Sequence, residues 1–301
     1  MGKGTARFIG SCGELIQGWI DGSQKLVSCG IDRYSYATVA DYQISASQAG
    51  TKAKAAMRET IRALDISETQ LNTLHLNIHS DLPQTKGMAS STADIAAACL
   101  ATADYFGQTL SLETLVKICI KIERTDSVLF PDLTVFEQEN GKTVLSSNWQ
   151  PSFYVLVLEP EAKIETRDFH TKAVEASFYQ QRHQFCKVYE TYLEAVKQRS
   201  FRRLTDAAFE SALLNQERMF KPFFYELAEL REEFSWLGIN AAHSGSVMGL
   251  LFEDIGKLDL LMKRLKELGV MEIYPKIRLQ KSCYTSIDTY QKRNPSKMLL
   301  G

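Results

Sequence analysis

The stretch DLPQTKGMASSTAD, residues 81–94, decides how the chain is read. Before it, TLHLNIHS alternates apolar and polar residues, with Leu74, Leu76 and Ile78 on one face, as a half-buried strand does. After it, IAAACLATADYF is apolar and alanine-rich and predicts a helix, with Gly107 placed to stop it. A strand therefore runs through a small polar turn into a buried helix. Two readings fit the turn. Ser91 with Asp94 three residues on matches a capping box, which stabilises a helix start without any ligand. The same small residues let backbone N–H groups and the helix dipole approach a phosphate, with Lys86 as a nearby positive charge and Ser90, Ser91 and Thr92 as hydroxyl donors. The Walker pattern GxxxxGK[ST] is absent.

Working outward, ARFIGSCGELIQGWI (6–20) predicts a strand, a glycine-marked turn and more extended chain. KLVSCGIDRYSYATVADYQISA (25–46) predicts one or two strands, and KAKAAMRETIRALDI (52–66) a helix. Helices are expected over 91–106 and 111–123, a hairpin at Asn140-Gly141, and a buried strand in SFYVLVLEP, ended by Pro160. The second half is mostly helical up to Leu237, with Pro222 as a break. It then reads strand, glycine turn, strand, helix from Ile239 to Leu268. A boundary falls near Ser147–Pro151.

The 301 residues suffice for one large domain or two ordinary ones. With 35 basic and 36 acidic residues, the chain has no broad basic surface for nucleic acid or anionic membrane. No apolar run reaches the ~18 residues of a membrane span. The six cysteines are scattered, without zinc spacing, so a reducing cytoplasm is the expected location.

Three further stretches carry chemistry. KIERTDSVLF holds Glu123 and Asp126 where the second helix ends. Acids are unfavourable there for the helix dipole, but suit magnesium; an ordinary ion pair with Lys117, Lys121 or Arg124 is the alternative. GSCGELIQG sets Cys12 and Glu14 among glycines, which fits either a tight turn or a close approach. NAAHSGSVMGLLF places His243, Ser244 and Gly245 in a small glycine-rich turn that could press on a ligand. A lone histidine there is more often a structural hydrogen-bonder.

Together these stretches resemble the GHMP kinase superfamily. PQTKGMASSTA (83–93) is similar to its glycine/serine motif, Gly13-Glu14 to the centre of its first motif, and HSGSVMG to its glycine-rich third. SCGELIQGWI, KLVSC, KGMASSTADIAA, Ile122–Ser127 and AHSGSVMGL resemble most the L-threonine kinase branch of cobalamin synthesis. The chain departs from that branch in lacking a proline before Ala-Ser-Cys-Gly and in carrying Arg124 where proline is common. Residues 41–70 and 160–235 show little recognisable pattern.

The resemblance implies an α+β fold, with a ribosomal protein S5 domain 2-like N-terminal part (1–148) that binds ATP and a ferredoxin-like C-terminal part (149–301) with extra helices. It implies ATP and Mg2+ as cofactors and L-threonine as the small-molecule substrate, with a homodimer open as the assembly. Pro83, Gln84, Thr85, Lys86, Gly87, Met88, Ala89, Ser90, Ser91, Thr92 and Ala93 would hold ATP, and Ser91 and Glu123 the metal. Lys86 and Ser90 would meet phosphate oxygens. Asp126 would orient the acceptor hydroxyl or take its proton, and Glu14 would bind the substrate ammonium. Cys12 and the turn His243–Gly245 would line the site.

Overall fold

The computed structural model describes residues 2–44, 49–161 and 172–285. The end of the second strand reading, residues 45–46, lies outside them. Strand β1 (Lys3–Ile20) and strand β2 (Ser23–Ala40) form a long antiparallel hairpin. Its tip is Asp21-Gly22, both with positive φ, the two-residue turn whose twist matches that of paired strands. β1 is one strand rather than strand, turn and strand. Its glycine segment is absorbed by register shifts between Ile9 and Gly10 and between Ser11 and Glu14. Such bulges bend a strand and re-aim its side chains.

Helix α1 (Thr51–Ala63), strand β3 (His75–Ser80), helix α2 (Ser90–Tyr105) and helix α3 (Leu112–Ile122) follow. Strands β4 (Val135–Glu137) and β5 (Lys142–Leu145) form the Asn140-Gly141 hairpin, and β6 is Tyr154–Glu159. Helices α4 (Lys172–Gln180), α5 (Arg182–Gln198), α6 (Phe201–Asn215) and α7 (Phe224–Glu233) come next. Strands β7 (Gly238–Ala241) and β8 (Met248–Phe252), helices α8 (Leu258–Glu267) and α9 (Val270–Ile273), and strand β9 (Lys276–Lys281) complete the described chain.

Among the described residues the strands make one sheet in the order β5-β4-β2-β1-β7-β8-β6-β9, with β3 also on β2. The two halves of the chain meet in it where Glu14 of β1 pairs with Ala241 of β7. One core lies between the β1–β2 region, α1–α3 and α5–α6, and includes Phe8, Ile16, Ala97, Leu115 and Tyr192. A second joins β6–β8 to α7 and α8, around Leu156, Phe224, Met248 and Leu261. α2 is buried almost all round. Its alanines at 96, 97, 98 and 101 let its backbone lie close against the sheet and α1.

Candidate active site

Two turns and the bulged part of β1, from distant parts of the sequence, are fastened together by backbone hydrogen bonds. The carbonyls of Lys86, Gly87 and Met88 all accept bonds from the protein behind them. Ser246 N and Val247 N donate to Lys86 O at 3.0 and 3.2 Å, Gly13 N to Gly87 O at 3.1 Å, and Ser11 N to Met88 O at 3.0 Å. No space is left for side chains between the turns. A Cβ on Gly87 would lie 2.4 Å from Ala242 Cβ, and one on Gly245 would lie 2.3 Å from Gly87 Cα.

This fastening has a directional consequence. In a planar trans peptide the carbonyl and the following N–H point opposite ways, and the described chain has no cis bonds. With the carbonyls of 86, 87 and 88 turned inward, the N–H groups of Gly87, Met88 and Ala89 point outward, and these three residues line a cleft of 530 Å³. Left-handed φ values alternate along the loop, at Thr85 (62°), Gly87 (78°) and Ala89 (53°). Alternation of this kind curls successive N–H groups into an anion-binding nest. A β-branched threonine at positive φ is strained, and such strain persists only where the surroundings over-determine it.

α2 begins directly on this nest. Its N-cap is Ala89, which supplies no side-chain cap bond. The capping-box expectation for Ser91 and Asp94 is therefore corrected. The first turn of α2 instead forms part of the cleft wall, through Ser90, Ser91 and Thr92. Asp94 accepts a bond from Ser35 Oγ of β2.

Glu123 ends α3 as its extended C-cap residue and lines the same cleft. Its Oε2 meets the Lys52 ammonium, which also lies 3.3 Å from Ser91 Oγ. The other oxygen, Oε1, is buried and finds no hydrogen-bond partner among the described residues. Ser91 and Glu123 thus converge on one cation, here an ammonium. An orphaned carboxylate oxygen and a hydroxyl, both oxygen donors, suit Mg2+, which takes one or two carboxylates and completes its shell with phosphates and water.

Asp126 stands beside them. Thr92 Oγ1 donates to its Oδ2 at 3.1 Å. Burial raises its carboxyl to about 7. The Glu14 and Glu123 charges push the same way, against the Thr92 hydroxyl. A carboxylate poised near neutrality can take a proton at working pH.

Glu14 and His243 also reach the cleft but are committed to each other. His243 N donates to Glu14 Oε2 at 2.8 Å, His243 Nδ1 lies 3.3 Å from the same oxygen, and His243 Nε2 lies 2.9 Å from Ser211 Oγ. A serine, a histidine and a glutamate in line resemble a hydrolytic triad. Ser211, however, is fully buried and accepts from Gln17 N at 3.0 Å, so it has no access to substrate. The line is a brace between α6, β1 and the 243–246 turn.

Several expected residues sit elsewhere. The Lys86 side chain is buried away from the cleft, with its ammonium on the Pro160 carbonyl. Cys12, within β1, is wholly buried, and burial pushes its thiol well above the ordinary range. Pro83, Gln84, Ala93 and Gly245 support the loop without forming the wall. The wall includes Lys52, Gln17, Gln24, Leu26, Gln138 and Phe178, which motif reading did not select. Gln17 was visible within GSCGELIQG, whereas Lys52 lies in the 41–70 region that carries little of the family's pattern.

The family profile of the GHMP kinases N terminal domain matches residues 51–129. An L-threonine kinase of Salmonella typhimurium is 36% identical over 281 residues, covering 92% of each chain. The chain belongs to the GHMP kinase family. It is therefore a phosphotransferase. An L-threonine kinase of Citrobacter freundii is 37% identical over 249 residues, covering 83% of this chain and 86% of its own. The fold agrees. A mevalonate pyrophosphate decarboxylase from Streptococcus pyogenes superposes with a TM-score of 0.68 at 14% identity, over 95% of this chain and 99% of its own. A mevalonate kinase superposes at 0.64 and 15%, over 93% and 97%. The GHMP fold implied by the motifs is thus the one found. Among the described residues no helix is long and apolar enough to cross a membrane.

Proposed function

We propose that the chain transfers the γ-phosphoryl group of ATP to the side-chain hydroxyl of L-threonine, giving O-phospho-L-threonine and ADP. In cobalamin synthesis that product feeds the aminopropanol linker, and a cytoplasmic site of action fits the unpaired cysteines. The observation that carries the reading is the outward-turned nest at Gly87–Ala89, opening into the same cleft as a carboxylate held near pH 7. The naming of the two bacterial relatives as L-threonine kinases supports the acceptor. One solved relative of this fold, 18% identical with a TM-score of 0.64, is a complex with AMPPCP and magnesium.

Phosphoryl transfer needs positioning and charge stabilisation more than covalent help. N–H groups of residues 87–91 and the α2 dipole hold the phosphates. Ser91 Oγ and Glu123 would hold Mg2+, which when bound would neutralise phosphate charge. Asp126 orients the threonine hydroxyl and accepts its proton as the new P–O bond forms and the β–γ bridge bond breaks. Glu14, held by His243, faces the acceptor end with Gln17 and Gln24.

The test is a panel of hydroxy-amino acids read by coupled ADP release. Threonine gives the highest kcat/KM. A better rate with serine or homoserine replaces the acceptor, and no ADP with any acceptor removes the kinase reading.

A further inference from the structure

The nest supplies dipoles but no full charge, and the lysine of its own motif is turned away onto Pro160. Lys52 and Arg124 are the Lys and Arg side chains in the cleft wall. The Arg124 guanidinium is paired with Glu139. Lys52 stands in the first turn of α1, and its side chain is 54% exposed. Its ammonium reaches over Ser91 Oγ at the start of α2, beside the Glu123 carboxylate. That position is where a phosphate on the helix N-terminus would meet a divalent cation.

We propose that Lys52 is the phosphate-binding cation of this enzyme. In the empty protein it holds Ser91 and Glu123 at their working separation. When nucleotide enters with its metal, the flexible lysine stem shifts the ammonium from Glu123 onto the β- or γ-phosphate oxygens. A lysine suits this better than an arginine, because its compact charge swings on four methylenes and needs no planar partner. No bond is made or broken in this role; the ammonium offsets the negative charge that the nest alone leaves uncompensated. The role rests on the assignment of Ser91 and Glu123 to the metal.

The test is calorimetric and needs no turnover. Mg·AMPPCP and adenosine are titrated into wild type, Lys52→Met, Lys52→Arg and Glu123→Gln, with Mn2+ binding followed in the presence of AMPPCP. Lys52→Met is expected to weaken AMPPCP by about 10- to 100-fold, the scale of one charge-assisted hydrogen bond, and to leave adenosine unchanged. Lys52→Arg recovers part of the loss. Wild-type AMPPCP affinity in Lys52→Met overturns the proposal, as does an equal loss for adenosine, which would mark a merely structural effect. Glu123→Gln separates the two readings. If it binds Mn2+ as wild type does, the metal assignment fails. If it loses Mn2+ while Lys52→Met binds AMPPCP normally, only the role of Lys52 fails.

Discussion

Gly245→Ala tests the interlock of the two turns with the bulged segment of β1. The added Cβ would stand 2.3 Å from Gly87 Cα, Gly87 N and Lys86 O, all backbone atoms that cannot rotate aside. Restoring ordinary contact near 3.4 Å requires the two loops to part by about 1 Å. The bonds from Ser246 N and Val247 N to Lys86 O, now 3.0 and 3.2 Å, do not survive that separation. Losing two buried backbone bonds and stranding their acceptor costs about 2–4 kcal/mol. The parting also tilts the 86–88 peptides whose N–H groups face the cleft, and a misplacement of about 1 Å in a positioning element lowers turnover by roughly 100-fold. Urea unfolding and ATP-dependent kinetics read the two effects together. Gly22→Ala is the comparison. It has nothing within 4 Å but a φ of 84°, so it costs ~1–2 kcal/mol of strain and leaves the KM for ATP alone. A Gly245→Ala protein with wild-type urea midpoint and wild-type KM for ATP would refute the interlock.

Three further substitutions have expected outcomes. Asp126→Asn lowers kcat by about 10²–10⁴-fold with little change in AMPPCP affinity, and abolishes an acid limb near pH 7 in kcat/KM for the acceptor. Because burial raises this carboxyl above its unfolded value, its stabilising contribution is complete below about pH 4 and lost as pH rises through about 7. Asp126→Asn accordingly raises the urea midpoint of the empty protein more at pH 8 than at pH 5, and the opposite ordering contradicts the burial. Glu123→Ala abolishes magnesium-dependent turnover while circular dichroism and the unfolding midpoint stay near wild type; retained turnover rules out Glu123 as a metal ligand. Ser211→Ala strands the buried Gln17 N–H and destabilises the protein by about 1–3 kcal/mol, but modest kcat loss is expected because Ser211 never meets substrate. A kcat loss as large as that of Asp126→Asn would contradict its role as a brace.

Local punctuation was legible from the sequence. Gly107 ends α2 with φ 65°, Asn140-Gly141 turns β4 into β5, and Leu74, Leu76 and Ile78 share the buried side of the chain at β3. Asp21-Gly22 carries an equally strong hairpin signal, but the glycines of 10–18 mimic a turn inside what is one strand and mask where it ends. β9 went unread since, as an edge strand, most of its residues stay exposed and its pattern is too weak to mark a face. The motifs located the cleft because the nest is written in glycines and small residues. They could not show where a flexible side chain points. Lys86 sits in the motif yet faces Pro160, whereas Lys52, from a helix that carries none of the family's motifs, reaches the cleft through the packing of α1 on α2.

Protein, magnesium, L-threonine and ATP labelled in its γ-phosphoryl group are incubated together, and the small-molecule products are separated and identified by mass. The label is expected in O-phospho-L-threonine, in proportion to the ADP formed and lost with Asp126→Asn. Label appearing only in inorganic phosphate, or in no product while ATP is bound, would contradict the account.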